Sequence, residues 1–190
     1  MRFRSLKEKS EDVKQARNWL IESLRMHLLP PLTQQGFESA PLAHRGPMDR
    51  ELVLSHPLGR LRRVREEGAV DLVEIQFARY GRAAFRVMAG VAPKGGLMTL
   101  TGHWVAEDLY VGWLNEYFVM SASCWRQAWF SVWNWPHQSV TQRDYDSLAL
   151  RAASLVPELE LAVRGGKLGP HMRRVVIPRP IIAERTADSG

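Results

Sequence analysis

The chain has 190 residues, with 26 Lys and Arg against 20 Asp and Glu, for a formal charge of +6. Hydrophobic residues make up 45% and charged residues 24%, a globular balance that excludes a disordered, collagen-like or mucin-like chain. One cysteine, Cys124, excludes an internal disulfide framework and a Cys-rich zinc module, and the longest uncharged run, 127–142, contains Asn134, Pro136, His137 and Gln138 and is no membrane span.

The length predicts a single domain over residues 1–178, with 179–190 as a flexible basic tail. The opening MRFRSLKEKSEDV has no apolar stretch behind its charges and does not read as a signal peptide. A reduced, cytoplasmic location is the expectation.

Val13, Ala16, Leu20, Leu24 and Leu28 recur every three or four residues and predict a helix from about Glu11 to Leu29. Ser10, Glu11 and Asp12 supply its cap and first-turn acids, Pro30-Pro31 interrupt it, and Gly36 suits a left-handed stop. Residues 37–57 read as one short strand with loops.

Two glycine-ended loops then predict a meander. Glu66-Glu67-Gly68 pairs Arg65 with Ala69, so Arg60 faces Glu74, Leu61 faces Val73 and Arg63 faces Asp71. Arg79-Tyr80-Gly81 pairs Ala78 with Arg82, so Phe77 faces Ala83, Ile75 faces Phe85 and Glu74 faces Arg86. One face then carries Leu61, Val73, Ile75, Phe77, Phe85 and Val87, and the other Arg60, Arg62, Glu74, Gln76 and Arg86.

A strand is expected over Leu97–Val105. Residues 106–122 fit a helical stripe through Leu109, Trp113, Tyr117 and Met120 or, equally, a strand. Ala128–Trp135 reads as a strand. Thr141 with Asp144 resembles a capping box and opens a helix whose stripe is Tyr145, Leu148, Ala152 and Leu155. Pro157 opens a second helix that buries Leu159 and Ala162 and stops at Gly165. The fold class is α+β, an antiparallel sheet of about five strands with the N- and C-terminal helices packed on one face.

No motif for catalysis stands out. The six histidines are scattered, H-E-x-x-H, C-x-x-C and G-x-S-x-G are absent, and no metal or cofactor is implied. His103 and Glu107 are four apart in a segment that reads as strand, and Cys124 reads as a buried thiol unless the fold brings His103 or His137 to it. In RGGKLGPHMRR, residues 164–174, glycines follow a helix instead of preceding one, so a phosphate loop is disfavoured.

Six of the seven tryptophans, at 104, 113, 125, 129, 133 and 135, fall within 32 residues. Residues 95–140 carry three acids and one base, so −2 sits there and +8 on the remainder of a +6 chain. Such a charge-poor aromatic stretch fills a core, forms a protein interface or lines a ligand cleft. The candidate protein-binding residues are Trp113, Trp125, Trp129, Trp133 and Trp135. The candidate anion-binding residues are Arg60, Arg62, Arg65, Arg173 and Arg174, although cross-strand pairing with Asp71 and Glu74 takes up part of that charge.

The segments LLPPLTQQGFE, VEIQFARYGRAAFRVMAGVAP and LVPELELAVRGG together resemble a small bacterial family of unknown function, over roughly residues 20–93 and 141–165. Gln76 is followed by Phe77-Ala78 where that family more often has serine. The resemblance implies an N-terminal helix followed by an antiparallel sheet, and it transfers no catalytic residue. Families of this class include toxin-neutralising proteins, which makes a toxin domain one partner it implies. The leading expectation is a non-catalytic protein-binding protein. The alternatives are a nucleic-acid or polyanion binder using the arginines and a small-ligand protein with a Trp-lined cleft.

Overall fold

The computed structural model describes residues 6–40, 59–78, 83–99, 102–123, 129–132 and 140–177, the side chains of 6–11 and 99 excepted. The basic tail, the turn at Gly81 and much of the tryptophan-rich stretch lie outside the described residues.

Helix α1 (Leu6–Ser23) runs through a π-helical turn (Leu24–Leu28) into α2 (Leu29–Gln34). The helix therefore passes Pro30-Pro31 instead of ending before them. The widened turn bonds Leu29 N–H to Leu24 O, and the prolines then occupy the first turn of α2, where a missing N–H costs nothing. Leu20, Leu24, Leu28 and Leu32 form the fully buried stripe. Gly36, at φ 84°, closes the helix as expected, with Phe37 N–H on Leu32 O (3.2 Å) and Gly36 N–H on Thr33 O (2.9 Å).

The strands are β1 (Glu38–Ser39), β2 (Arg60–Val64), β3 (Val70–Phe77), β4 (Ala84–Ala92), β5 (Leu97–Thr99), β6 (Gly102–Trp104), β7 (Glu116–Met120), β8 (Phe130–Ser131) and β9 (Met172–Val176). Seven of them form one antiparallel sheet in the order β1-β2-β3-β4-β7-β9, with β8 also pairing β4. The sheet is two strands larger than expected. The extra strands are short or at the edge, where periodicity has few residues to act on.

The first hairpin has the predicted register: Arg60 opposite Glu74, Leu61 opposite Val73 and Arg63 opposite Asp71. Gly68 adopts φ 87° in its loop. The second register is shifted by two. Phe77 lies opposite Phe85, Ile75 opposite Val87, Gln76 opposite Arg86 and Glu74 opposite Met88. Ala78 N–H bonds Ala84 O at 2.9 Å, so the connection is longer than three residues. A two-residue shift preserves which side chains share a face, so the apolar face survives while the polar pairs change.

That face meets the helices. Leu61, Val73, Ile75, Phe77, Phe85 and Val87 pack with α1, α2, α3 (Gln142–Ala153) and α4 (Val156–Gly165) in the main core. Phe85 and Phe130 stack at 4.9 Å, both fully buried. Thr141 caps α3 through its N–H on Asp144 Oδ2 (2.8 Å), as the capping pattern predicts. Pro157 sits in the first turn of α4, whose left-handed stop is Gly166 (φ 64°), one residue beyond the expected Gly165.

The opposite face is not simply polar and solvated. Val70, Leu72, Met88, Ala92 and Val119 carry a second core there, covered by Ala106, Leu109, Val111 and Leu114. The covering segment is neither helix nor strand throughout. It contains two 3-10 turns, Ala106–Asp108 and Val111–Trp113, and becomes a strand only at Glu116. Nor is 97–105 a single strand, since β5 and β6 pair with each other, Met98 opposite His103. No helix among the described residues is long and apolar enough to cross a membrane.

Candidate functional site

The arginines of β2 separate by alternation. Arg60 and Arg62 point to the covered face, whereas Arg63 and Arg65 point to the helices. Beneath the 106–111 cover, Arg62 Nη2 lies 3.4 Å from Glu74 Oε1 and donates to Leu109 O at 2.7 Å, and Nε donates to Glu107 O at 3.0 Å. Arg60 Nη2 also donates to Glu107 O (3.2 Å), and its guanidinium lies 5.0 Å from the Tyr110 ring centroid. Val111 N–H donates to Glu74 Oε1 at 3.0 Å, so the same carboxylate holds the cover and the arginine.

Burial dominates the electrostatics of this cluster. Desolvation, with Arg60 nearby, lowers Arg62 to about 10 in spite of Glu74, leaving it charged at neutral pH. Desolvation also raises the Glu74 carboxyl above the ordinary glutamate value, against the pull of Arg62, the Val111 N–H and Arg60. Its Oε2 makes no hydrogen bond among the described residues. This cluster fastens 106–111 to the sheet; it offers no open surface for a ligand.

On the helix side, Arg63 Nη2 bonds Asp71 Oδ2 (2.6 Å) and Nη1 bonds Glu160 Oε1 (2.7 Å), with the guanidinium 4.4 Å from the Phe37 ring centroid. Burial opposes the Arg63 charge, and its bonds to Glu160 and Asp71 outweigh it and hold the pKa above the ordinary value. Arg65 bonds Asp71 Oδ1 (2.7 Å) and donates to Val163 O at the end of α4 (2.8 Å). Arg174 pairs with Glu116 at 3.1 Å. Arg173 is exposed on β9, opposite Val119, on the covered face. The five arginines proposed for anions thus lie on both faces of the sheet and on its far edge, not on one surface.

The described tryptophans of the 97–136 segment, Trp104, Trp113 and Trp129, share the covered face. Trp113 meets Trp104 edge-on at 4.9 Å and Tyr110 at 4.7 Å, half-buried against the second core. Trp129 lies one residue before Phe130, whose partner is Phe85, so the same register sets Trp129 across from Arg86. The Arg86 guanidinium lies 5.1 Å from the Trp129 ring centroid. On its other side, Arg86 Nε and Nη2 both donate to Gln76 Oε1, at 2.8 and 2.5 Å. Gln76, Arg86 and Trp129 therefore form a row across three strands. Trp125, Trp133 and Trp135 lie outside the described residues.

The residues alone do not single out Arg86: a three-residue loop sets Glu74 opposite it, and the observed register sets Gln76 there instead.

The remaining candidates stay apart. His103 is exposed, its Nε2 2.6 Å from Gly95 O, while Cys124 and His137 lie outside the described residues. Among the described residues no group of three His, Cys, Asp or Glu gathers as a metal ion needs. After α4, Arg174 donates to Gly166 O at 3.3 Å, and Glu158 accepts from His171 N–H at 2.9 Å, so 164–174 satisfies its own helix end. An open cleft of about 670 Å³ runs beside α1, lined by residues including Lys14, Asn18, Trp19, Glu22 and Arg25. No described tryptophan of the 97–136 segment lines it.

Fold and site together define an α+β protein whose sheet is covered by helices on one face and by an arginine-fastened segment on the other. No family model matches the chain, and no curated protein or solved structure matches it either. The resemblance to a small bacterial family thus has only its three quoted segments to stand on.

Proposed function

We propose that the chain is a non-catalytic protein-binding protein whose contact surface is the covered face of the sheet, centred on Trp113 and Trp129. The observation that carries this reading is that these two rings, from separate elements, stop half-buried on the same face, although the second core beneath is already filled by aliphatic side chains. Half-exposed tryptophan beside arginine is the composition that protein interfaces favour. The cytoplasm of a bacterium, where lone Cys124 stays reduced, is the setting we propose. A toxin domain neutralised in the manner of an immunity protein is the partner that the sequence resemblance implies.

The nucleic-acid alternative draws less support. Arg62 and Arg65 are engaged by Glu74 and Asp71, and a backbone-tracking line of cations is missing among the described residues. The small-ligand alternative lacks a cleft lined by the expected tryptophans.

The test is co-purification of the full chain from its own cells, followed by Trp113→Ala and Trp129→Ala. A stoichiometric protein partner is expected, with affinity falling at least tenfold in each variant and by less than twofold in the exposed control Arg164→Gln. The reading fails if no such partner is retained, or if both tryptophan variants bind it as the parent does.

A further inference from the structure

We propose that the row Gln76–Arg86–Trp129, with Arg173 beside it, is an anchor for a carboxylate side chain of an acidic partner protein. This inference rests on the protein-binding reading above and names the chemistry of the partner at one point of its surface.

The first support is orientation. Gln76 Oε1 takes both Arg86 Nε and Nη2, and Trp129 carries the guanidinium at 5.1 Å, so the fork is held on two sides before any partner arrives. A fixed planar guanidinium loses little freedom on binding and suits the two oxygens of one carboxylate. Nη1 is not engaged by either neighbour.

Charge is the second. The groups that hold Arg86 are neutral, and among the described residues neither Arg86 nor Arg173 makes an ion pair. Arg173 stands in the row Met88–Val119–Arg173, two strands from β4 on the same face, at about 10 Å by strand spacing. Burial and the Arg173 charge both weigh on Arg86, and Tyr117 and Glu74 offset only part of this. Glu74 is held through Oε1 by Arg62 and the Val111 N–H and makes no hydrogen bond or ion pair with Arg86 among the described residues. A carboxylate from outside relieves both cations at once.

The patch is also small. Two arginines flanked by tryptophan fit one or two acidic side chains. A nucleic acid would instead need cations spaced along a backbone, whereas Arg60 and Arg62 are engaged by the cover and Glu74 and Arg65 lies on the helix side of the sheet.

The experiment titrates the full chain with a short poly-L-glutamate peptide and, separately, with an oligothymidylate of equal charge, at several salt concentrations. Arg86→Gln is expected to weaken poly-L-glutamate binding at least tenfold, Arg86→Lys to restore only part of it, and Arg164→Gln to change it by less than twofold. If Arg86→Gln shifts the urea midpoint, Arg173→Ala on the exposed edge takes its place, with a several-fold loss expected. Unchanged affinity in Arg86→Gln and Arg173→Ala overturns the anchor, as does oligothymidylate binding tighter than poly-L-glutamate. Trp113→Ala separates the two claims. It should leave poly-L-glutamate affinity intact while lowering capture of the cellular partner, so the anchor and the wider reading fail on different readouts.

Discussion

Arg62 and Glu74 lie 3.4 Å apart with 4% and 0% of their side chains exposed, and between them they hold the 106–111 segment against the sheet. Arg62 binds the carbonyls of Glu107 and Leu109, while Glu74 accepts the Val111 N–H. Removing one member leaves the other buried and uncompensated. Glu74→Leu and Arg62→Met should each cost about 3–5 kcal/mol in urea unfolding. The double variant should cost clearly less than the two singles together, because the uncompensated charge is removed with its partner. Strict additivity would show that the two groups act independently.

The same carboxyl gives the pH dependence a sign. Glu74 binds its proton more tightly folded than unfolded, so between the ordinary value of 4.5 and its folded value the native state holds the extra proton. Stability therefore falls as pH rises through that window. Asp144, held low by its bonds from Thr141, acts oppositely: its contribution is present above 3.8 and is lost as pH falls towards its folded value. Urea midpoints across pH 3–8 should show the first slope flattened in Glu74→Gln, which keeps the acceptor for Val111, and the acid loss reduced in Asp144→Asn. A Glu74→Gln profile parallel to the parent would refute the assignment.

Two glycines allow close approaches around the second core, Gly90 beneath the cover and Gly96 beside the end of β6. A Cβ at Gly90 on β4 would run into Leu114 Cδ1, the end of a side chain that can shift. A Cβ at Gly96 would run into the Trp104 carbonyl oxygen, and the residue is at φ +84°, where side chains are strained. Gly90→Ala should cost about 1–3 kcal/mol by overpacking the second core. Gly96→Ala should cost more and, by displacing Trp104 from Trp113, should also change the near-ultraviolet circular dichroism. Equal losses would place the constraint elsewhere.

How much of this could be read from the residues follows their range of action. The stripe Leu20, Leu24, Leu28 and the Thr141–Asp144 cap depend on neighbours three or four positions away, and both appear as expected. The first hairpin was readable because Gly68 sets a short loop of defined geometry. The second was readable by face and not by register, since a longer loop shifts Phe77 from Ala83 to Phe85 without moving it out of the core. The cover was not readable, because a 3-10 segment has no sustained period and is held by Arg60, Arg62 and Glu74, more than thirty positions distant. The Arg86 row was hidden by the same shift. Met172–Val176 went unrecognised as a strand, since an edge strand with Arg173 and Arg174 shows no apolar alternation.

Ser23 ties the N-terminal helix to α3 at a fully buried position. Its Oγ donates to Asp146 Oδ1 at 2.7 Å and accepts from Gln142 Nε2 at 3.0 Å. The Ser23 bond is the largest cause of the lowered Asp146 pKa, assisted by Gln142 and His27. Ser23→Ala removes one partner and leaves two polar groups short of a bond, at a cost of about 1–3 kcal/mol. The Asp146 carboxyl should then titrate at higher pH, a change that carbon-detected magnetic resonance of the side chain would follow. Ser23→Thr keeps the hydroxyl and should keep the Asp146 titration low, even where its added methyl group costs some stability in the tight helix contact. A Ser23→Ala protein with an unmoved Asp146 titration would mean that Gln142 and His27 alone set it, and that the link between α1 and α3 is apolar.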